Sequence, residues 1–261
     1  MNVKNFIGVL ENCAINGNNK EAWFFVDENF VYSTNSDGSV SLIIKTPTSD
    51  VFGVNPKFCF GFHDIKSVIK KLKTLGSDAN VDFDYAGEYN GYQILSKSTY
   101  KRNSPLLKFP IHHPSAAFVL GNQTRNPQDE KFNMVGDGFI LENCSDLRQV
   151  LSIIDDVDIE GKLVTLTFEP MGENVNVVGE SVSFEIVCST SSIFESFSIS
   201  KRDFVACISS DSEISITIGD DAILLEQNSK KVHIPKVSGN SNELASASRL
   251  DDDFFASDFE Y

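Results

Sequence analysis

The residues of this chain whose spacing points most clearly to chemistry are four lysines in the stretch DIKSVIKKLK, residues 64–73. They are unexpected, because the chain carries 37 acidic against 22 basic side chains and a formal net charge of −15. Helical spacing of about 100° per residue gives the stretch one apolar stripe, made of Ile65, Val68, Ile69 and Leu72. A second stripe beside it consists of Lys66, Lys70 and Lys73, while Lys71 projects elsewhere. Clustered cations suit an anionic partner, although on this helix alone a solvated lysine face is the simpler interpretation.

Histidines and clustered carboxylates, which often carry catalysis and metal binding, form no recognisable site. The chain contains none of the patterns GxxxxGK[ST], GxGxxG, HExxH and GxSxG. His112 and His113 are adjacent, which is poor spacing for two ligands on one helix face. Asp155, Asp156 and Asp158 are better explained as solvated loop carboxylates than as a cation site. We therefore expect no enzymatic activity, no metal and no cofactor.

Length and composition allow a substantial core. The chain has 261 residues, 41% of them apolar and 21 of them phenylalanine, enough for one large domain or two ordinary ones. No apolar run approaches the roughly 18–20 residues of a membrane span, and the N-terminus lacks a signal-peptide layout. The five cysteines have neither zinc-finger nor CxxC spacing, so we expect reduced, buried thiols. These features predict an intracellular protein that does not enter membranes.

Four short amphipathic segments with helical spacing recur along the chain, over residues 3–15, 64–73, 145–157 and 200–210. Ser145 is placed as the N-cap of the third. Strand-like runs broken by turn residues follow each segment, for example SVSLIIKT after the first and AILLEQN after the fourth. The repeat predicts an α+β fold of two domains, each built from two helix-plus-antiparallel-sheet units.

The predicted boundaries follow from composition. We assign the first domain to residues 1–109 and the second to residues 139–237. A linker over 110–138 is indicated by prolines and polar residues, including NQTRNPQDEK. Residues 238–261 have few apolar residues before a final FFASDFEY, and we expect them to form a flexible acidic tail.

This organisation resembles the sliding-clamp family, the ring-shaped processivity factors of DNA replication that include proliferating cell nuclear antigen and the T-even phage clamp. The closest local match is FSISKRDFVACISSDSEISITIGDDAILLEQNSKKVHIPKV, residues 197–237. In it a strand leads to a short helix, an alternating strand, a Gly-Asp turn, an apolar strand and a final Pro-Lys-hydrophobic sequence. By layout the resemblance covers about residues 1–237.

The resemblance implies that the helices of every repeat line a central hole through which duplex DNA passes. Their cations would contact phosphates without reading sequence. The implied DNA-binding residues are Lys4, Lys66, Lys70, Lys71, Lys73, Arg148, Lys201 and Arg202. Two domains per chain imply a ring of three chains, a homotrimer, that serves a DNA polymerase and a clamp loader. The divergence of the chain suggests a virus or phage, with the protein in the cytoplasm or nucleoid of the host cell.

A partner pocket around Ile234, Pro235 and Val237 is also implied, which would capture an aromatic-bearing peptide. The tail itself resembles such a peptide through Phe254 and Phe255. Leu250, however, stands four residues before Phe254, where that peptide usually has three. The tail would either fold back into the pocket as an internal competitor or recruit a separate protein.

Two other functions fit parts of the sequence. A replication-associated single-stranded-DNA-binding protein often carries an acidic, partner-recruiting tail of this kind. That function needs aromatics interleaved with cations, which occur only in YNGYQILSKSTYKR, residues 89–102. An acidic scaffold without a nucleic-acid role is the third possibility.

Overall fold

The computed structural model describes residues 3–25, 28–35, 38–46, 60–74, 85–89, 92–98, 107–110, 130–142, 144–156, 158, 161–179, 182–190, 194–208 and 213–237. The predicted tail and most of the predicted linker lie outside these residues. Among the described residues, no helix is both long and apolar enough to cross a membrane.

Four α-helices form where the amphipathic segments predict them. They are α1 Val3–Ala14, α2 Ile65–Lys73, α3 Cys144–Leu151 and α4 Lys201–Cys207. The Asp64 carboxylate caps α2 by accepting from the Ser67 backbone N–H at 2.9 Å. The Ser200 hydroxyl caps α4 in the same way, accepting from the Asp203 N–H at 3.3 Å.

The predicted bounds of the third helix are wrong at both ends. Ser145 is the second residue of α3 and not its N-cap, because the helix begins at Cys144. It ends at Leu151, six residues before the predicted end, and turns follow it. Long-range hydrogen bonds hold the turns that follow: the Lys201 ammonium group donates to the Ile154 carbonyl, and the Val164 N–H donates to the Asp156 carbonyl at 3.1 Å.

Sixteen strands account for the described part of the sheets. They are β1 Asn19–Phe25, β2 Phe30–Asn35, β3 Ser41–Lys45, β4 Phe60–Phe62, β5 Tyr85–Tyr89, β6 Tyr92–Ser98, β7 Leu107–Pro110, β8 Asp137–Leu141, β9 Thr165–Met171, β10 Asn174–Val178, β11 Ser183–Ile186, β12 Cys188–Thr190, β13 Phe197–Ser200, β14 Ile214–Ile218, β15 Ala222–Gln227 and β16 Lys230–Pro235. Every pairing between them is antiparallel, so the predicted α+β class is confirmed.

A nine-stranded sheet runs through both halves of the chain, in the order β12-β8-β14-β15-β16-β3-β2-β1-β4. The halves join where β16 pairs with β3, with Val232 opposite Leu42. A four-stranded sheet has the order β11-β10-β9-β13, and a three-stranded sheet the order β5-β6-β7. The short 3₁₀ helix Glu130–Phe132 lies within the predicted linker, and β8 begins two residues before the predicted second domain. The domain boundaries themselves stay a prediction.

The two faces of the nine-stranded sheet bury different apolar clusters, because strand side chains alternate between faces. The inner core contains the buried residues of all four helices together with strand residues such as Phe24, Leu42 and Ile223. On the opposite, outer face lies a second cluster, the outer cluster, made of Trp23, Phe30, Tyr32, Ile43, Phe132 and Leu224. The helices therefore all cover one side of the sheet.

Four cysteines confirm the prediction of buried thiols. Cys13, Cys144, Cys188 and Cys207 are buried and free. Burial raises the pKa of Cys13 and of Cys207 to about 12, so both remain protonated at neutral pH. Cys59 lies outside the described residues.

Candidate nucleic-acid interface

The four helices lie side by side on the inner face. Helix α1 packs against α2, and α3 packs against α4. The turn after α1 meets α4, where the Asn18 side-chain amide donates to the Asp203 carboxylate at 3.1 Å. The exposed surfaces of all four helices therefore point away from the sheet on the same side of the molecule.

Helix α2 presents its lysines to solvent, as its periodicity predicts. Ile65, Val68 and Leu72 are buried in the inner core. The exposed residues on the other side of the helix are Lys66, Lys70, Lys71 and Lys73. Lysines in the last turn also oppose the negative end of the helix dipole, so part of their effect is to stabilise α2 itself.

Lys73 differs from its neighbours because it has an acidic partner. Its ammonium group lies 2.8 Å from the Glu11 carboxylate of α1. Both side chains are about half exposed, so this ion pair contributes at most about 1 kcal/mol to stability. It does, however, lower the positive charge that α2 presents at this point.

The other helices contribute fewer exposed cations. Lys4 on α1, Arg148 on α3 and Arg202 on α4 are all exposed. Their exposure has the same cause as that of the α2 lysines, because each of them lies off the buried face of its helix. Their contact with DNA stays a prediction.

Lys201 is the exception, and the expectation that it faces DNA is wrong. Its side chain is 6% exposed. The ammonium group donates to the Ile154 carbonyl and lies 2.5 Å from the Asp156 carboxylate. Lys201 thus ties the start of α4 to the turns after α3, and its charge is satisfied within the protein.

The acidic cluster after α3 has structural roles. Asp156 is the partner of Lys201. The Asp158 carboxylate accepts from the Lys162 backbone N–H at 2.7 Å and so closes a turn. In the described part of the chain no group of three or more His, Cys, Asp or Glu side chains is placed to hold a metal ion.

The residues predicted to bind a partner peptide do not form one exposed pocket. Ile234 is fully buried in the inner core, so its predicted role as a contact residue is wrong. Sequence alternation places it on the covered face of β16. Pro235 and Val237 are half-buried near the end of that strand, where the Val237 N–H donates to the Ser198 carbonyl at 2.7 Å. Phe254 and Phe255 lie outside the described residues.

A shallow groove on the outer face, the Phe132 groove, was not foreseen from the sequence. Its lining includes the apolar Phe30, Ile43 and Phe132 and the charged Glu28, Lys45 and Lys231. The Lys231 ammonium donates to the Phe132 carbonyl at 3.2 Å and also pairs with Glu226. One signal in the sequence could have shown that the outer face of the sheet is covered at this point. Strand β2, FVYSTN, is apolar at consecutive positions, which is typical of a strand buried on both faces.

The outer face also holds two half-buried histidines, His63 and His233. His63 Nδ1 lies 2.7 Å from the Glu21 carboxylate, whose other oxygen accepts from the Trp23 indole N–H at 3.0 Å. This network gives the His63 ring a hydrogen-bond partner within the protein. At His233, burial and then the nearby charge of Lys131 lower the pKa.

Comparisons with known proteins identify the fold. No protein-family model matches the chain, and no curated protein sequence matches it. Solved structures do match. DNA polymerase III subunit beta from Borrelia burgdorferi is 14% identical with a TM-score of 0.61, over 91% of this chain and 62% of that one. PCNA from Entamoeba histolytica is 11% identical with a TM-score of 0.62, over 90% of this chain and 96% of that one.

A third match is A. fulgidus PCNA, solved with the C-terminal region of FEN-1 bound, at 14% identity and a TM-score of 0.59. The match covers 91% of this chain and 97% of that one. The chain thus spans under two thirds of the bacterial beta subunit but nearly the whole length of the two PCNA chains. These similarities show that the chain has the sliding-clamp fold, which confirms the resemblance found in the sequence.

Proposed function

We propose that this chain is a non-enzymatic sliding clamp, a ring that encircles duplex DNA and tethers a DNA polymerase after a clamp loader has placed it there. The observation that carries the proposal is that exposed cations from all four helices share one side of the sheet. They are Lys4 from α1, Lys66, Lys70, Lys71 and Lys73 from α2, Arg148 from α3 and Arg202 from α4.

The charge distribution supports a sliding contact. Lysines and arginines that neutralise phosphates release counterions, and this attraction does not depend on base sequence. The net charge of −15 disfavours DNA binding elsewhere on the protein. A protein that must move along DNA requires such contacts to be several, weak and blind to sequence.

Strand pairing supports a closed ring of identical chains. Within one chain, the last strand of the second half, β16, pairs with β3, the third strand after α1. The strands in equivalent positions are β7, the last strand of the first half, and β11, the third strand after α3. In the described part of the chain, β7 and β11 are each at the edge of their sheet. Pairing β7 of one copy with β11 of the next would repeat the internal junction and close a head-to-tail homotrimer.

Partner binding belongs on the outer face in this proposal, because the inner face is directed at DNA. Pro235 and Val237 remain candidates for contact with a polymerase peptide, since both are partly accessible. An origin in a virus or phage stays a prediction.

The salt dependence of DNA binding tests the proposal. A Lys66→Ala/Lys70→Ala variant should fold normally and bind a labelled duplex more weakly. The plot of log K against log salt should become shallower by about 0.9 for each phosphate that the variant no longer neutralises. The matched control is Lys45→Ala/Lys131→Ala, which removes two exposed lysines from the outer side of the sheet and should leave the slope unchanged.

Two results would count against this function. Equal slopes for both variants would mean that the lysines of α2 form only a solvated helix face and do not contact DNA. Tighter binding to a single-stranded oligonucleotide than to the duplex would favour the single-stranded-DNA-binding alternative.

A further inference from the structure

The Phe132 groove combines an apolar floor with a local excess of positive charge. Phe30, Ile43 and Phe132 supply apolar surface. Lys45 and Lys231 line the groove, and Lys131 adjoins Phe132 in the 3₁₀ helix. Glu28 in the lining and Glu226 beside Lys231 offset part of this charge. Three lysines against two glutamates is nevertheless a basic site in a chain of net charge −15.

The C-terminal sequence of the same chain has the complementary chemistry. Residues 238–261 contain six acidic side chains and one basic one. Three of the acids are consecutive, Asp251 to Asp253, and two phenylalanines follow directly, Phe254 and Phe255. A peptide of this pattern can place carboxylates near lysines and an aromatic ring on an apolar floor.

The distances are also compatible. The groove lies at the Lys231 end of β16, whereas the tail leaves from the other end, after Val237. Six residues separate these positions, which at roughly 3.4 Å per residue is about 20 Å. Seventeen residues separate Val237 from Phe254. A linker of that length has a root-mean-square end-to-end distance of about 21–25 Å. The effective concentration of a tethered ligand is highest when this distance matches the span.

We propose that residues 251–255 of the tail dock in the Phe132 groove of their own chain. The aspartates pair with Lys45, Lys131 and Lys231, and one phenylalanine packs against Phe30, Ile43 and Phe132. The docked tail occupies the outer face next to the junction of β3 and β16. A consequence that rests on the proposed function is competition: a polymerase peptide that uses this face must displace the tail.

A labelled peptide of residues 250–261 tests the docking on the full-length protein without DNA. A Phe254→Ser/Phe255→Ser chain lacks its internal ligand, so it should bind the peptide about three- to tenfold more tightly than the unchanged chain does. The matched control is Phe259→Ser/Tyr261→Ser, which alters two aromatics of the same tail outside the docking sequence. It should bind the peptide like the unchanged chain.

A charge exchange locates the site. Adding Lys45→Glu to the Phe254→Ser/Phe255→Ser chain should weaken binding of the peptide, and a peptide with Asp251, Asp252 and Asp253 changed to Lys should restore it. Equal peptide binding by the unchanged and the Phe254→Ser/Phe255→Ser chains would overturn the proposal. Peptide binding that does not change with Lys45→Glu would also overturn it. So would competition between tail and peptide that grows stronger as the protein concentration rises, because that would indicate docking of the tail on another copy.

The DNA-binding experiment and the peptide-binding experiment can each fail without the other. Peptide binding is measured without DNA, and the salt slopes are also compared in the Phe254→Ser/Phe255→Ser background, where Lys45→Ala/Lys131→Ala cannot release a docked tail. If the chain is a clamp whose tail does not dock, the salt slopes of the variants should still differ, but the unchanged and the Phe254→Ser/Phe255→Ser chains should bind the peptide equally.

Discussion

Lys70 and Lys201 show how environment decides what a helix lysine can do. Lys70 lies off the apolar stripe of α2 and is exposed, so its charge is available to a partner. Lys201 begins α4 on the buried side, and its ammonium group is held by the Ile154 carbonyl and Asp156. Sequence spacing identifies both as helix cations. The spacing also separates them, because Lys201 stands three residues before the buried Phe204 and therefore on the apolar face of α4.

Lys201→Ala should therefore mainly lower stability, whereas Arg202→Ala should mainly lower DNA affinity. Lys201→Ala leaves the buried Ile154 carbonyl without this donor and should lower the free energy of unfolding by about 1–3 kcal/mol. Arg202→Ala removes an exposed side chain and should change it by less than about 0.5 kcal/mol. DNA affinity should fall for Arg202→Ala at constant stability. Denaturant titration and duplex binding measure the two quantities, and a stable Lys201→Ala protein would contradict the assigned role.

His233 gives the chain a pH-dependent stability of known sign. Burial and Lys131 lower its pKa in the folded state below the ordinary value of 6.5. As the pH falls through 6.5, the unfolded chain takes up a proton that the folded chain does not, which favours unfolding. Between pH 7.5 and 5.5 the free energy of unfolding should thus fall more steeply for the unchanged chain than for His233→Gln. Parallel pH profiles for the two would contradict this account.

At the scale of elements, short-range patterns identify the helices and strands but not their ends. The apolar spacing of α2 and its Asp64 cap are both visible in the sequence, and the helix forms where predicted. The turns that follow the early end of α3 are held by long-range hydrogen bonds from Lys201 and Val164, which no local pattern encodes. The run VSFEIVCST reads as one strand, yet Val187 divides it into β11 and β12, which belong to different sheets.

The candidate sites were predictable to different extents for the same reason. The lysines of α2 follow from one helix and its own periodicity. The Phe132 groove needs strands from both halves and a covering residue from the predicted linker, so it depends on long-range pairing. The assignment of Ile234 to a surface pocket failed although the alternation of Val232 and Ile234 with polar neighbours already indicates that Ile234 lies on the covered face of β16.

The packing of β4 on β1 depends on a glycine. Gly61 lies opposite Trp23, and a Cβ there would fall 2.2 Å from the indole ring and 2.7 Å from the Ala22 carbonyl oxygen. Gly61→Ala should therefore lower the free energy of unfolding by about 1–3 kcal/mol. The control is Gly8→Ala in α1, where a Cβ meets nothing within 4 Å and should stabilise the helix by about 0.5–1 kcal/mol. Denaturant unfolding that gave both variants the same sign would contradict this packing.

At the scale of the whole molecule, the continuous nine-stranded sheet is the feature that relates the chain to a ring. It already contains one junction between halves, at β3 and β16. The second junction that we propose would pair β7 and β11 of neighbouring copies, and Val187, which is 77% exposed, directly follows β11. Val135 is 95% exposed and provides a comparison away from that edge. An aspartate at position 187 should weaken self-association, whereas one at position 135 should not.

The molar mass in solution is the most direct test of a self-closing ring. Light scattering at micromolar concentration should give three times 28.9 kDa for the unchanged chain and for Val135→Asp. Val187→Asp should shift the mass toward the monomer as the protein is diluted. A stable monomer of 28.9 kDa for the unchanged chain would contradict the ring.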